Sequence, residues 1–136
     1  MIGFLEPMIS KAGILVTPVV GLISGQFTPI INEDEVHSVF SLPLEYFLCD
    51  YKLNHTSSDV FVRGLPYVMH FFTYDHVDHT TSQRESYLIW GLTAQIVIRA
   101  AEVCFARPAA FQVVESSRSL TYDVDAQQFV SHQSNL

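Results

Sequence analysis

Residues 86–105, SYLIWGLTAQIVIRAAEVCF, contain the clearest change of hydrophobic period in the chain. Ser86–Trp90 is short and rich in aromatic and apolar side chains, which indicates a strand. Thr93 is suited to be an N-cap residue. Ala94–Phe105 carries good helix formers with apolar residues at helical spacing, and it ends before Pro108. The segment therefore predicts a strand followed closely by a helix.

Upstream of this segment the sequence predicts a hairpin. Val60–Arg63 and Pro66–Tyr74 are apolar runs on either side of Gly64, as in two paired strands with a tight turn. Asp75–Glu85 is polar and predicts a second turn. Asp50–Ser58, which precedes the hairpin, predicts a loop.

Two further strands are expected nearer the N-terminus. Gly13–Ile23 is rich in branched residues and predicts a largely buried strand, with Pro18 at an edge or a bulge. Val36–Leu42 predicts another strand. Pro43 then occupies a position that a helix start tolerates, so Leu44–Leu48 predicts one or two helical turns.

The pattern weakens after Arg107. Phe111–Val114 could form a strand, and the remaining residues are rich in Ser, Gln and Asp. We expect residues 107–136 to form a loosely ordered tail.

Composition excludes several classes of protein. The chain has 136 residues, a net charge of −7 and 49% hydrophobic residues against 15% charged residues. An acidic chain lacks the basic surface of a nucleic-acid binder, and its hydrophobicity excludes disorder throughout. Ala12–Asn32 lacks charge, but prolines, glycines and polar residues interrupt it, so we expect no membrane span there. We likewise expect no secretory signal, because the N-terminus lacks a basic region.

Metal-ligand types cluster around the second predicted turn. They are His70, Asp75, His76, Asp78 and His79. Imidazoles and carboxylates bind metals, but no converging ligands are fixed by the sequence, and a solvated hairpin turn is the favoured interpretation.

An acidic cluster, Glu33-Asp34-Glu35, follows a loop and precedes a predicted strand. A solvated turn is the favoured interpretation here also. The functional alternative is the wall of a divalent-metal site, for which Glu35 is the weak candidate ligand.

No catalytic residue is assigned. Cys49 could act as a nucleophile with His37 or His55, but a lone cysteine after a short aromatic helix is more often part of a core. The chain contains neither a nucleophile elbow nor a phosphate-binding glycine loop.

Four phrases, taken in order, resemble one known family. They are GILVTPVVG at 13–21, NEDEV at 32–36, VFSLPL at 39–44 and IWGLTA at 89–94. This order is similar to that of the Nudix hydrolases, in particular their coenzyme A-type branch, which includes peroxisomal enzymes. The resemblance extends to about Phe105.

The resemblance has one large departure. The family's metal-binding box has an Arg-Glu pair followed by a pair of acidic residues. Here the Arg84-Glu85 pair is followed by Ser86 and Tyr87. The resemblance therefore implies that residues 1–106 are the C-terminal part of a Nudix domain, an incomplete α/β/α sandwich with a mixed sheet and a C-terminal helix.

The resemblance also implies the chemistry of the intact family member. Such an enzyme uses Mg or Mn to hydrolyse coenzyme A or acyl-coenzyme A to 3',5'-ADP and a phosphopantetheine. This chain alone is expected to be inactive, and whether it is an enzyme stays open. The terminal Ser134, Asn135 and Leu136 resemble a peroxisomal signal, with Asn in place of the basic residue. We expect a peroxisomal location, with the cytoplasm as the alternative.

Two other interpretations stay open. The chain could be a non-catalytic remnant that binds acyl-coenzyme A or pairs with another subunit, or it could be a His/Asp metal-binding domain. A sheet face left uncovered is expected to cause self-association.

Overall fold

The computed structural model describes residues 3–25, 27–50, 53–62, 65–77, 84–113, 119–123 and 128–132. Their elements, in chain order, are β1 (Gly3–Phe4), β2 (Met8–Ile9), β3 (Leu15–Val16), β4 (Val19–Val20), a 3-10 helix (Leu44–Leu48), β5 (His55–Val62), β6 (Leu65–Val77), β7 (Arg84–Trp90), α1 (Gly91–Phe105), β8 (Ser119–Asp123) and β9 (Gln128–His132). Every strand pairing is antiparallel. The α/β class with a C-terminal helix is confirmed.

The N-terminal strands form two nested pairs, β1 with β4 and β2 with β3. Three residues separate β1 from β2 and two separate β3 from β4, so the first side carries one extra residue, as in a bulge. The Leu5 amide donates to the Pro18 carbonyl at this point. Pro18 therefore lies at the bulge, as predicted.

The prediction of one buried strand over Gly13–Ile23 is wrong. The segment contains only β3 and β4, and Ile14, Leu22 and Ile23 are exposed. Pro18 lacks an amide hydrogen for a continuous ladder, and the segment pairs with residues 3–9 instead of entering the main sheet.

The predicted strand Val36–Leu42 is also wrong, because these residues pair with no strand in the described part of the chain. Val36 and Val39 remain exposed, while Phe40 stacks on Tyr87, which lies on β7. Side-chain packing, and not a backbone ladder, attaches this stretch to the sheet. The short helix after Pro43 is confirmed.

The main sheet has the order β5–β6–β7. β5 and β6 form the predicted hairpin, with Val62 opposite Leu65. β5 begins at His55, so the predicted loop over Asp50–Ser58 ends earlier than expected. The polar Thr56–Ser58 stretch is recruited because the long apolar strand β6 offers it a ladder partner at Met69–Phe71.

The helix predicted after Trp90 is confirmed over Gly91–Phe105, but its start was placed too late. Trp90 and not Thr93 is the N-cap residue. Gly91 has a φ of 63°, a left-handed conformation that glycine adopts without strain, and it allows the strand to turn directly into the helix.

The core lies between one face of the sheet, the 3-10 helix and α1. Its fully or nearly fully buried side chains are Phe47, Leu48, Phe72, Ile89, Ala94, Ile98 and Ala101. Because side chains alternate along a strand, Val68, His70 and Phe72 share this face, and Tyr67, Met69 and Phe71 lie on the other.

Residues 109–113 close the side of the core. The Ala110 amide donates to the Leu48 carbonyl at 2.8 Å, and the Phe111 ring packs 4.0 Å from that of His55, between centroids. Phe111, Gln112 and Val113 are not a strand, so that prediction is wrong there, and Val114 lies outside the described residues. Within the tail, β8 and β9 pair with each other.

We find no helix, in the residues that the structure describes, with the length and apolar character needed to cross a membrane.

Candidate functional site

A groove of about 860 Å³ lies beside the first half of β6. β7 ends at Trp90, opposite Phe71, so residues 65–70 pair only with β5 among the described strands. The groove is bordered by five parts of the chain: residues 4–11, β6, Trp90 at the end of β7, α1 from Gly91 to Val103, and Val113. We call this feature the edge groove.

Three aromatic side chains contribute to the wall of the edge groove. Phe4, Tyr67 and Trp90 line it, and the indole of Trp90 stacks almost parallel to the ring of Phe71 at 6.1 Å between centroids. Burial raises the pKa of Tyr67 to about 12, because the phenolate would lose its hydration. The Tyr67 hydroxyl therefore stays protonated near neutral pH and can donate a hydrogen bond.

The start of α1 also borders the groove, through Gly91, Leu92 and Thr93. No side chain caps this helix end, and its first turn contains no acidic residue. The first amides of a helix lack partners within the helix, so this border offers hydrogen-bond donors.

An ion pair lies at the helix side of the groove. Arg99 donates to Glu102 at 2.7 Å, and the other oxygen of Glu102 accepts from the Ala109 amide at 3.1 Å. Glu102 thereby ties the segment after the helix to α1. Lys11 and Glu6 also line the groove.

A second cluster lies within the core, and sequence reasoning missed it. His55 Nε2 lies 3.1 Å from His70 Nδ1, and His70 Nε2 lies 3.1 Å from the Val113 carbonyl oxygen. His55 Nδ1 lies 3.5 Å from an Asp50 carboxylate oxygen. We call Asp50, His55, His70 and the Val113 carbonyl the histidine array.

Burial dominates the electrostatics of the array. It lowers the pKa of His55, and the Asp50 carboxylate opposes this shift. Burial also lowers the pKa of His70, with a further lowering from His55, against a raising by the Val113 carbonyl. Both imidazoles are therefore held in the neutral form more strongly than in the unfolded chain.

The predicted cluster of metal-ligand types separates in the structure. His70 is fully buried in the array, whereas Asp75 is exposed on the opposite face of β6. His76 follows near the end of that strand, and Asp78 and His79 lie outside the described residues. No three His, Cys, Asp or Glu side chains converge on a metal position in the described part of the chain.

The acidic cluster Glu33–Glu35 lies in an exposed turn. The Asn32 side chain accepts from the Asp34 amide at 3.3 Å, and the Asn32 carbonyl accepts from the Glu35 amide at 3.0 Å. The backbone is thus ordered by Asn32, while Glu35 itself faces solvent. Its role as a metal ligand stays a prediction.

Cys49 is half-buried, with its Sγ 3.6 Å from the Glu45 carbonyl oxygen. The two ring nitrogens of His55 face Asp50 and His70. This arrangement supports the interpretation of Cys49 as a packing residue. The signal-like Ser134, Asn135 and Leu136 lie outside the described residues.

Comparison with known proteins identifies relatives over most of the chain, although no family model matches it. It is 44% identical over 109 residues to the mitochondrial Nudix hydrolase 15 of Arabidopsis thaliana, and 40% identical over 124 residues to the chloroplastic Nudix hydrolase 22 of that plant. These matches cover 79% and 90% of this chain but 35% and 38% of the relatives.

A third relative is the peroxisomal coenzyme A diphosphatase NUDT7 of Mus musculus. It is 30% identical over 113 residues, which are 83% of this chain and 45% of the mouse protein. The chain thus spans between a third and a half of the length of these curated relatives. All three relatives are Nudix hydrolases, and the chain therefore belongs to the Nudix hydrolase family.

Proposed function

We propose that this chain is the C-terminal half of a coenzyme A-type Nudix diphosphatase, whose intact form cleaves coenzyme A or acyl-coenzyme A to 3',5'-ADP and a phosphopantetheine. The observation that carries the proposal is the match of 83% of this chain to a protein named as a coenzyme A diphosphatase. The phrase IWGLTA supports the assignment, because its Trp90–Thr93 portion borders the edge groove. In this proposal residues 1–106 belong to the Nudix domain and residues 107–136 form the tail.

The edge groove suits the pantetheine arm of such a substrate. That arm is long and uncharged, and it carries amide groups along an otherwise apolar chain. Phe4, Met69 and Trp90 offer apolar contacts, and the Tyr67 hydroxyl and the first amides of α1 offer donors to amide oxygens. The role proposed for this chain is therefore to bind and orient the substrate.

Mg or Mn is the cofactor that the family implies for the cleavage step. The described residues do not fit such a site, because their carboxylates and imidazoles do not converge in threes. Glu33, Asp34 and Glu35 are adjacent in one exposed turn, which cannot enclose an ion without further ligands.

The first prediction concerns hydrolysis. Residues 1–136 alone are expected to release no 3',5'-ADP from coenzyme A in excess Mg or Mn, because phosphoryl chemistry needs a metal held by fixed ligands. Chromatographic measurement of 3',5'-ADP, with a denatured sample as the control, checks this result. Metal-dependent release that persists after repurification and is absent from the denatured sample contradicts the inactive-half proposal.

The alternative function is a non-catalytic one, in which the chain binds acyl-coenzyme A or pairs with a second subunit. A groove without a converging ligand cluster in the described residues favours binding over catalysis. The exposed apolar residues Leu22, Phe27 and Ile30 favour subunit pairing.

The second prediction tests the groove. Phe4→Ser is expected to weaken the binding of acyl-coenzyme A several-fold, because Phe4 is a groove-lining ring that is 64% exposed without ligand. Phe27→Ser is the matched control, since Phe27 is 60% exposed and is not among the groove-lining residues. Titration calorimetry of both variants checks the difference. Equal affinities of the two variants for acyl-coenzyme A would show that the edge groove is not the binding site.

The third prediction concerns location. We propose a peroxisomal location from the NUDT7 match and the Ser134-Asn135-Leu136 terminus, whereas the plant relatives are named as mitochondrial and chloroplastic. A fluorescent reporter ending in these three residues is expected to reach peroxisomes in part, and more completely after Asn135→Lys. A reporter that stays diffuse with both the original and the Asn135→Lys sequence would support the cytoplasmic alternative.

A further inference from the structure

The histidine array is a continuous set of polar groups that begins at solvent beside Asp50 and passes through the buried His70 to the Val113 carbonyl. The Asp50 side chain is 44% exposed, the His55 side chain is 5% exposed, and His70 is fully buried. Successive partners are 3.5, 3.1 and 3.1 Å apart. The last member of the array, the Val113 carbonyl oxygen, determines which nitrogen atoms carry protons.

A carbonyl oxygen can only accept a hydrogen bond, so His70 Nε2 must carry a proton in order to bind the Val113 carbonyl. In neutral His70 the Nδ1 atom is then a lone-pair acceptor. His55 Nε2, at 3.1 Å from it, must therefore be the donor. Both imidazoles are consequently fixed in the tautomer with the proton on Nε2.

This assignment leaves one mismatch. Neutral His55 presents the Nδ1 lone pair to an Asp50 carboxylate oxygen, so two acceptors face each other at 3.5 Å. We propose that Asp50, His55 and His70 form a binding site for a single proton, which enters from solvent beside Asp50 and binds Nδ1 of His55. Bound there, the proton converts the mismatch into an ion pair and leaves the other two hydrogen bonds intact.

The same geometry excludes a second proton. Protonation of His70 would place a hydrogen on Nδ1, directly opposite the hydrogen on His55 Nε2. It would also bring two cationic rings within 3.1 Å of each other in the core, which like-charge repulsion disfavours. The array can thus take up one additional proton without losing its structure, whereas a second additional proton must break it.

Charges on the neighbouring elements are engaged elsewhere. On the 3-10 helix, Glu45 pairs with Arg107 at 2.6 Å, and on α1, Glu102 pairs with Arg99 at 2.7 Å. Asp50 is therefore the carboxylate that sets the affinity of the array for its proton.

The array also anchors one wall of the edge groove. Val113, whose carbonyl accepts from His70, borders the groove, and Phe111 packs against both imidazole rings. Loss of the His70 bond would release residues 111–113 from the core face. The groove wall is therefore expected to stay in place while the array holds zero or one proton and to open with the second.

The state of the protons is directly measurable by the ¹⁵N shifts of the imidazoles. At pH 7.5 both His55 and His70 are expected in the Nε2–H tautomer. As the pH falls, His55 is expected to become doubly protonated while His70 stays neutral until the fold is lost. A proton on Nδ1 of either neutral ring, independent titration of both rings, or acid unfolding with both rings still neutral overturns the proposal.

Asp50→Asn separates the proposed role of the carboxylate from a general effect of charge. Its amide can donate to the Nδ1 lone pair, so the neutral array gains a bond and the ion pair is lost. The midpoint of the His55 titration is expected to fall by about one pH unit or more. Asp75→Asn, on the opposite face of β6, is the control with the same charge change and is expected to leave the midpoint unchanged. Equal midpoints in all three proteins contradict the role assigned to Asp50.

Discussion

Replacement of Phe72 by alanine is expected to lower the free energy of unfolding by about 3–5 kcal/mol, which is the typical cost of removing a buried aromatic ring. Phe72 has no exposed surface, and its ring contacts those of Phe47 and His55 at 5.0 and 4.6 Å between centroids. Its removal would leave a cavity where the sheet, the 3-10 helix and residues 109–113 meet. The total free energy of unfolding of a small domain is about 5–15 kcal/mol, so the loss is a large fraction of its stability.

Chemical denaturation followed by circular dichroism checks this expectation. Phe61→Ala is the matched control on β5, because Phe61 is 77% exposed, and it is expected to change the free energy of unfolding by no more than about 0.5 kcal/mol. Similar losses for both variants would show that Phe72 does not occupy the centre of the core.

Acid is expected to destabilise the fold strongly, beginning near pH 6.5. Burial lowers the pKa of both His55 and His70 in the folded state, so the unfolded chain binds more protons below their usual pKa of 6.5. The stabilisation that comes from keeping both imidazoles neutral is fully present above pH 6.5 and is lost as the pH falls. Each histidine that is protonated only in the unfolded chain costs about 1.4 kcal/mol per pH unit.

Denaturation at a series of pH values between 4.5 and 7.5 measures this slope. His70→Gln removes one of the two buried imidazoles and is expected to reduce the slope. His76→Gln is the control, because His76 lies on the same strand but outside the array. This variant is expected to keep the slope of the unmodified chain. A slope that is unaffected by His70→Gln would mean that the acid sensitivity arises elsewhere.

The parts of the fold that could be predicted from the sequence are those determined by neighbouring residues. The hairpin from β5 to β6 and the helix Gly91–Phe105 follow from hydrophobic period and turn residues, which act within a few positions. The 3-10 helix after Pro43 was predictable for the same reason, since proline fixes its own backbone angle.

Predictions failed where the outcome depends on a distant partner. Val36–Leu42 has the composition of a strand, but a strand needs an edge to pair with, and here Phe40 packs by its ring instead. Gly13–Ile23 was expected inside a sheet, and it pairs with residues 3–9 on a bulged ladder. Neither choice of partner is encoded in the segment itself.

The histidine array was hidden for a related reason, although one signal was available. In a hairpin that pairs Val62 with Leu65, His55 falls opposite Phe72, and its neighbour on the same face is His70. Pairing positions across the predicted turn would therefore have brought the two histidines together. The Val113 carbonyl could not be found in this way, because it reaches the array over 43 residues of chain.

The order of β5, β6, β7 and α1 has a consequence for how the molecule folds. Each of these elements contacts the one that follows it in the chain, so each new contact closes only a short loop at a small entropic cost. Structures dominated by such local contacts fold rapidly. The bond that joins Val113 to His70 spans 43 residues of chain, and we expect it to close later than the contacts between neighbouring elements within residues 55–105.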